Sequence, residues 1–131
     1  ADGPLPRTTM GWEIHPEGLE ALIGRVRRET GGALPLYITE NGMSAPDRLS
    51  GTGVADEDRI AYVQSHLAAV LRAIAAGADV RGYFYWSLLD NFEWALGYDK
   101  RFGLVQVDFD TLKRTPKKSY HAFQTFLRPP T

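Results

Sequence analysis

Pro35-Leu36-Tyr37-Ile38-Thr39-Glu40-Asn41-Gly42 and Val80-Arg81-Gly82-Tyr83-Phe84-Tyr85-Trp86 decide the architecture of this chain. Both are short apolar runs rich in β-branched and aromatic side chains, and the first runs into a Glu-Asn-Gly turn, which is how buried strands read. Between them Met43 to Ala55 reads as a polar loop, and Asp56 as the N-cap of a helix with Glu57 and Asp58 in its first turn. Ile60, Val63, Leu67, Val70, Leu71 and Ile74 line one face of that helix, and Gly77 ends it. Strand, helix and strand in this order make one parallel βαβ unit.

Working outward, residues 1–10 form an irregular lead-in in which Pro4 and Pro6 deny regular hydrogen bonding. Pro16 opens a helix carrying Leu19, Leu22, Ile23 and Val26 on one face, and Gly31 and Gly32 stop it. Beyond the second strand a long loop from Ser87 to Arg101 leads to a short ribbon over Leu104 to Phe109 and an amphipathic helix over Lys117 to Leu127. Two parallel strands with free edges, each apolar enough to want cover on both sides, cannot close a sheet by themselves. The expectation is a slice of a larger α/β protein.

Composition narrows the chemistry. Among 131 residues, 15 Lys and Arg against 16 Asp and Glu leave a net charge of -1, with no field to gather nucleic acid or an anionic membrane. The absence of cysteine removes disulfides, thiolate zinc sites and a cysteine nucleophile together. His15, His66 and His121 are too scattered for a histidine metal cage, so no metal or cofactor is expected, and all three read as packing or surface residues. No stretch reaches the ~18 apolar residues of a membrane helix. The stretch ADGPLPRTTM lacks a basic region followed by an apolar run, so the chain reads as soluble and cytoplasmic, with a signal upstream of Ala1 left open.

Candidate chemistry gathers where the two strands end, the side on which parallel α/β folds place their active sites. Glu40 would stand at the rim of the sheet, where loss of water must be offset by partners; the plainer alternative is a carboxylate bonded to its own turn. Trp86-Ser87-Leu88-Leu89-Asp90-Asn91-Phe92-Glu93-Trp94 sets indoles, carboxylates and an amide close together on a loop. Aromatic faces beside carboxylates suit sugars: the ring C–H bonds stack on an indole while adjacent hydroxyls donate in pairs to a carboxylate. For the tryptophans alone, core packing is the simpler account. Asp90 and Asn91 are equally suited to bonding the loop or touching a sugar, and Asn41 to shaping the turn.

Ile38-Thr39-Glu40-Asn41-Gly42, Tyr85 to Trp94 and Gly97-Tyr98-Asp99-Lys100-Arg101-Phe102-Gly103 together strongly resemble the C-terminal part of glycoside hydrolase family 1, the retaining β-glucosidases and their relatives. Gly11 to Leu19 and Val107-Asp108-Phe109 share the resemblance, which runs in order along essentially the whole chain. It implies a (β/α)₈ TIM barrel of which residues 36–40 are the seventh strand and 80–86 the eighth, so that residues 1–131 form the C-terminal part of one barrel domain rather than an independent domain. It also implies that Glu40 is the catalytic nucleophile, attacking the anomeric carbon of a β-glucoside to form a glycosyl-enzyme. Trp86 is implied as the platform under the sugar ring, Glu93 with Trp94 as the pair holding its distal hydroxyls, and Phe102 as the wall by its 6-position. His121 departs from the family, which often carries an aromatic there.

Retention needs a second carboxylate to protonate the leaving oxygen. The family keeps that acid in an Asn-Glu-Pro tripeptide on its fourth strand, and no such tripeptide occurs here. The chain is therefore expected to need the N-terminal portion of the same barrel as a partner and to be inactive alone. The competing readings are a non-catalytic carbohydrate-binding remnant and a 6-phospho-β-glycosidase, the latter disfavoured because Glu93 would repel a phosphate dianion.

Overall fold

The computed structural model describes residues 3–51 and 53–128. In chain order these form α1 (Pro16–Glu29), β1 (Leu36–Asn41), β2 (Arg48–Ser50), β3 (Gly53–Ala55), α2 (Glu57–Ala75), β4 (Val80–Tyr85), a 3-10 turn (Trp94–Leu96), β5 (Val105–Val107), β6 (Arg114–Pro116) and α3 (Lys118–Leu127). β1 and β4 pair in parallel, Leu36 beside Val80 and Ile38 beside Tyr83, with α2 as the crossover. β2 with β3 and β5 with β6 form separate antiparallel hairpins.

The stretch expected to be a polar loop, Met43 to Ala55, is not one. Met43, Ser44 and Ala45 are buried, Met43 and Ala45 packing against Tyr62, Val63 and Leu67, and Leu49 then pairs with Val54 around Gly51, whose φ of 59° suits glycine. Asp56 does occupy the N-cap of α2, yet its side chain makes no capping bond. Its carboxylate is taken instead by Arg59 and by the backbone N–H and hydroxyl of Ser119.

α2 buries a face rotated from the apolar periodicity. Arg59, Tyr62, Val63, His66, Leu67, Ala69, Val70 and Ala73 are buried, while Leu71 and Ile74 are 57% and 41% exposed. The reason is that α2 is wedged against α1, α3 and the β1–β4 pair at once, so small and polar side chains are buried too. One core cluster joins Ile23, Val70, Ala73 and Ala78 to Leu36, Ile38 and Val80; the other joins Met43, Tyr62 and Leu67 to Tyr83, Tyr85 and Phe123. Both lie on the helix side of the strand pair. Tyr37 and Phe84 are 56% and 59% exposed, so apolar surface that a closed barrel would cover stands open among the described residues.

Charge is buried at the strand-end side of this core. Lys117 is wholly buried, its Nζ 2.8 Å from Asp47 Oδ2 and 2.9 Å from Asp90 Oδ1. Arg59, equally buried, pairs with Asp56 and reaches Asp47 Oδ1 at 3.6 Å, and its Nη2 donates to the Arg101 carbonyl at 2.7 Å. Loss of water raises the pKa of Asp47, an effect that the hydrogen bond and charge of Lys117 oppose. Removing one partner of such a network leaves an uncompensated buried charge, which costs about 3–5 kcal/mol. Lys117→Ala should therefore lower the urea midpoint of the folded protein sharply, whereas Lys118→Ala, removing an exposed pair with Glu57, should leave it nearly unmoved.

Candidate active site

β1 and β4 approach so closely at their C-terminal ends that only glycine fits between them. The Trp86 N–H donates to the Asn41 carbonyl at 3.1 Å, and a Cβ on Gly42 would lie 1.7 Å from the Trp86 carbonyl oxygen. The Trp86–Ser87 peptide is cis. This convergence sets Glu40 and Trp86 on one cleft of about 360 Å³, whose walls also include Trp12, Asn41, Gly42, Tyr62, Glu93, Trp94 and Phe102. All five residues singled out from the sequence, Glu40, Trp86, Glu93, Trp94 and Phe102, thus line a single cleft.

The loop after β4 brings Glu93 and Trp94 there. Leu104 N–H bonds back to the Ser87 carbonyl at 3.0 Å and Val105 N–H to that of Leu88 at 2.9 Å, so the loop leaves and rejoins the body at one point. At its tip the Glu93 N–H donates to the Gly97 carbonyl at 2.6 Å, and Trp94, with φ 43°, is 82% exposed. Neither the Glu40 nor the Glu93 carboxylate makes a side-chain hydrogen bond or ion pair among the described residues, so both remain available to a ligand. Phe102 is only 4% exposed and backs the cleft from beneath Trp12, their ring centroids 6.0 Å apart.

Asp90 and Asn91 bond the loop. The buried Asp90 carboxylate accepts from the Gly103 N–H at 2.8 Å and from Lys117, and Arg101 also pairs with it. A Cβ on Gly103 would come within 2.2 Å of the Asp90 nitrogen, which explains the glycine. Asn91 Nδ2 donates to the Ser87 hydroxyl and the Leu89 carbonyl, both at 3.0 Å.

Trp12 and Tyr62 are cleft residues that sequence reasoning missed as site candidates. Trp12 sits in a turn closed by the Thr8 N–H donating to the Trp12 carbonyl at 2.9 Å, far from Glu40 in sequence, and the sequence offered it only within the Gly11 to Leu19 stretch that shares the resemblance. Tyr62 lies on α2 among residues that read as core. His66, one turn further, is buried and stacked on Tyr62 at 3.8 Å between centroids, its Nδ1–H donating to the Tyr62 carbonyl at 2.8 Å. His15 and His121 are exposed. Among the described residues no three His, Cys, Asp or Glu side chains gather as a metal site, and no helix is long and apolar enough to cross a membrane.

Two unpartnered carboxylates among three indoles can accept paired hydroxyls and stack ring C–H bonds, and a free carboxylate can attack an electrophilic carbon. The sequence pattern of glycosyl hydrolase family 1 matches residues 1–129. A bifunctional beta-D-glucosidase/beta-D-fucosidase of Bifidobacterium breve is 50% identical over 127 residues, covering 93% of this chain and 27% of that protein. A 6-phospho-beta-galactosidase of Streptococcus equi subsp. zooepidemicus is 47% identical, covering 94% and 26%. The crystal structure of a psychrophilic beta-glucosidase from Micrococcus antarcticus superposes with a TM-score of 0.90 at 51% identity, covering 97% of this chain and 28% of that one. The chain thus spans a little over a quarter of the length of these relatives.

Burial lowers the His66 pKa, since the charged ring loses its water. The unfolded chain then binds the proton first, so His66 costs nothing above its ordinary range and erodes stability as pH falls through it. His66→Phe should flatten the loss of thermal stability between about pH 7 and pH 5. An unchanged slope in pH-dependent melting would contradict this.

Proposed function

The chain belongs to glycosyl hydrolase family 1, and from that premise we propose that it supplies the nucleophile side of a retaining β-glucosidase-type active site. β1 and β4 then correspond to the seventh and eighth strands of a (β/α)₈ barrel, and residues 1–131 to its C-terminal part. The remaining strands, with the acid/base carboxyl, come from the N-terminal portion of the same barrel. The observation that carries this reading is the free Glu40 carboxylate at the end of β1, sharing its cleft with Trp86 and Glu93.

In this reading Trp86 stacks under the glycone. Glu93 accepts its distal hydroxyls beside Trp94, and Phe102 closes the cleft by the 6-position. Glu40 attacks the anomeric carbon as the partner acid protonates the leaving oxygen; water, deprotonated by that same group, then releases the sugar with its β configuration retained. The 47% identical phosphogalactosidase relative raises a 6-phospho-β-glycosidase as the rival. The described cleft walls argue against it, because they hold Glu40 and Glu93 and no lysine or arginine, and a dianion would meet two carboxylates.

In the complete enzyme containing this chain, a 2-deoxy-2-fluoro glucoside with a good leaving group should label Glu40, as read by peptide mass. Glu40→Gln should abolish both label and turnover. A label on another residue, an α-anomer as first product, or a binding-only protein that is never labelled would each refute the assignment. Glu93→Ala should lower kcat/KM for an aryl β-glucoside by roughly 10²-fold or more while Glu40 can still be labelled, because it removes hydrogen bonds that strengthen in the transition state. A preference for the 6-phosphorylated glucoside over the plain one would favour the rival.

A further inference from the structure

The ladder between β1 and β4 is irregular from Ile38 to Asn41, so strand pairing alone does not set the direction of Glu40. The next residue is held far more firmly. Asn41 Oδ1 accepts a hydrogen bond from the Tyr83 hydroxyl of β4 at 2.7 Å, and its Nδ2 donates to the Tyr62 hydroxyl of α2 at 3.2 Å. Its main-chain carbonyl accepts from the Trp86 N–H at 3.1 Å. Three bonds, from α2, from β4 and from the residue that follows β4, therefore converge on Asn41, while Glu40 beside it has no side-chain partner among the described residues.

We propose that Asn41 is a positioning residue for Glu40: its clamp between two tyrosine hydroxyls sets the backbone where the ladder lapses and so aims the Glu40 carboxylate into the cleft. The inference rests on Glu40 being the nucleophile. Burial pushes the phenols of Tyr62 and Tyr83 up, so both stay protonated wherever the enzyme would work. Each hydroxyl can donate or accept, so either orientation of the amide is bonded at both ends, and the clamp needs the two hydroxyls rather than one amide rotamer. The ring of Tyr62 is itself fixed by the stacked His66. Glu93 and Trp94, which the proposed function assigns to sugar binding, hang from the loop after β4 and do not bond to this clamp. Loosening Asn41 should therefore misplace the attack without weakening the grip on the sugar.

The test uses the complete enzyme containing this chain. Tyr62→Phe and Tyr83→Phe should each lower kcat about tenfold, and the double variant further, with KM within about twofold, since a displacement of order 1 Å in the attacking group costs up to about 10²-fold. Asn41→Asp keeps an acceptor for both hydroxyls, and the added charge next to Glu40 should move the acid limb of the kcat/KM profile to higher pH. Near-UV circular dichroism and melting establish that the tyrosine variants are folded. A kcat within twofold of the parent in both folded tyrosine variants would overturn the proposal, as would a KM that rises in step with the loss of kcat/KM. Failure of the parent enzyme to be labelled on Glu40 is a separate outcome, which removes the nucleophile assignment itself.

Discussion

The Lys117 ammonium, out of contact with water between Asp47 and Asp90, is the interaction on which the arrangement of the cleft depends. Asp47 belongs to the loop leaving β1 and Asp90 to the loop leaving β4, and Lys117 precedes α3. One cation therefore joins the two strand exits to the last helix. Arg59 and Asp56 extend the same network to the start of α2 and to Ser119. An ionic cluster of this kind stabilises little compared with an apolar core of equal volume, but breaking it is expensive, and that asymmetry gives it directional value. Loops that would otherwise wander are held to one geometry.

Steric necessity complements the charge. Gly42 lets the exit of β1 pass the Trp86 carbonyl, and Gly103 lets the returning loop pass the Asp90 backbone. Both glycines allow a close approach, since no side chain could be accommodated without separating the segments. The cleft is therefore built from rigid crossings: Glu40 and Trp86 at strand ends, Glu93 and Trp94 at the tip of a loop closed at its base. Among the described residues the two carboxylates are left without side-chain partners, while the carboxylate of Asp90, four residues after Trp86, is saturated. Carboxylates near in sequence have opposite fates, and the difference is burial.

The open side of the strand pair belongs in the same picture. Tyr37 and Phe84 face away from the helices, consistent with a chain that matches relatives over a little over a quarter of their length. Strands buried on both faces carry apolar residues on both, and here the helices cover only one.

Much of this was legible in the sequence by itself. The two strands, the three helices and their order follow from local periodicity and punctuation, which need no distant partner. Glu40 and the Trp86 to Trp94 stretch stood out because chemistry-bearing residues were contiguous at strand ends. What only the tertiary structure decided depends on contacts between residues far apart in the chain. The buried face of α2 is set by three neighbours at once, so Arg59 and His66 are inside and Leu71 outside. Lys117 reads only as the start of an amphipathic helix until Asp90, 27 residues away, is placed against it, and Asp56 reads as a helix cap until Ser119, 63 residues away, takes its carboxylate. Trp12 and Tyr62 join the cleft, and Asp90 and Asn91 stay out of it, for the same reason: burial and bonding belong to the assembled chain, and a charged or aromatic side chain acquires its role only when the fold supplies its partner.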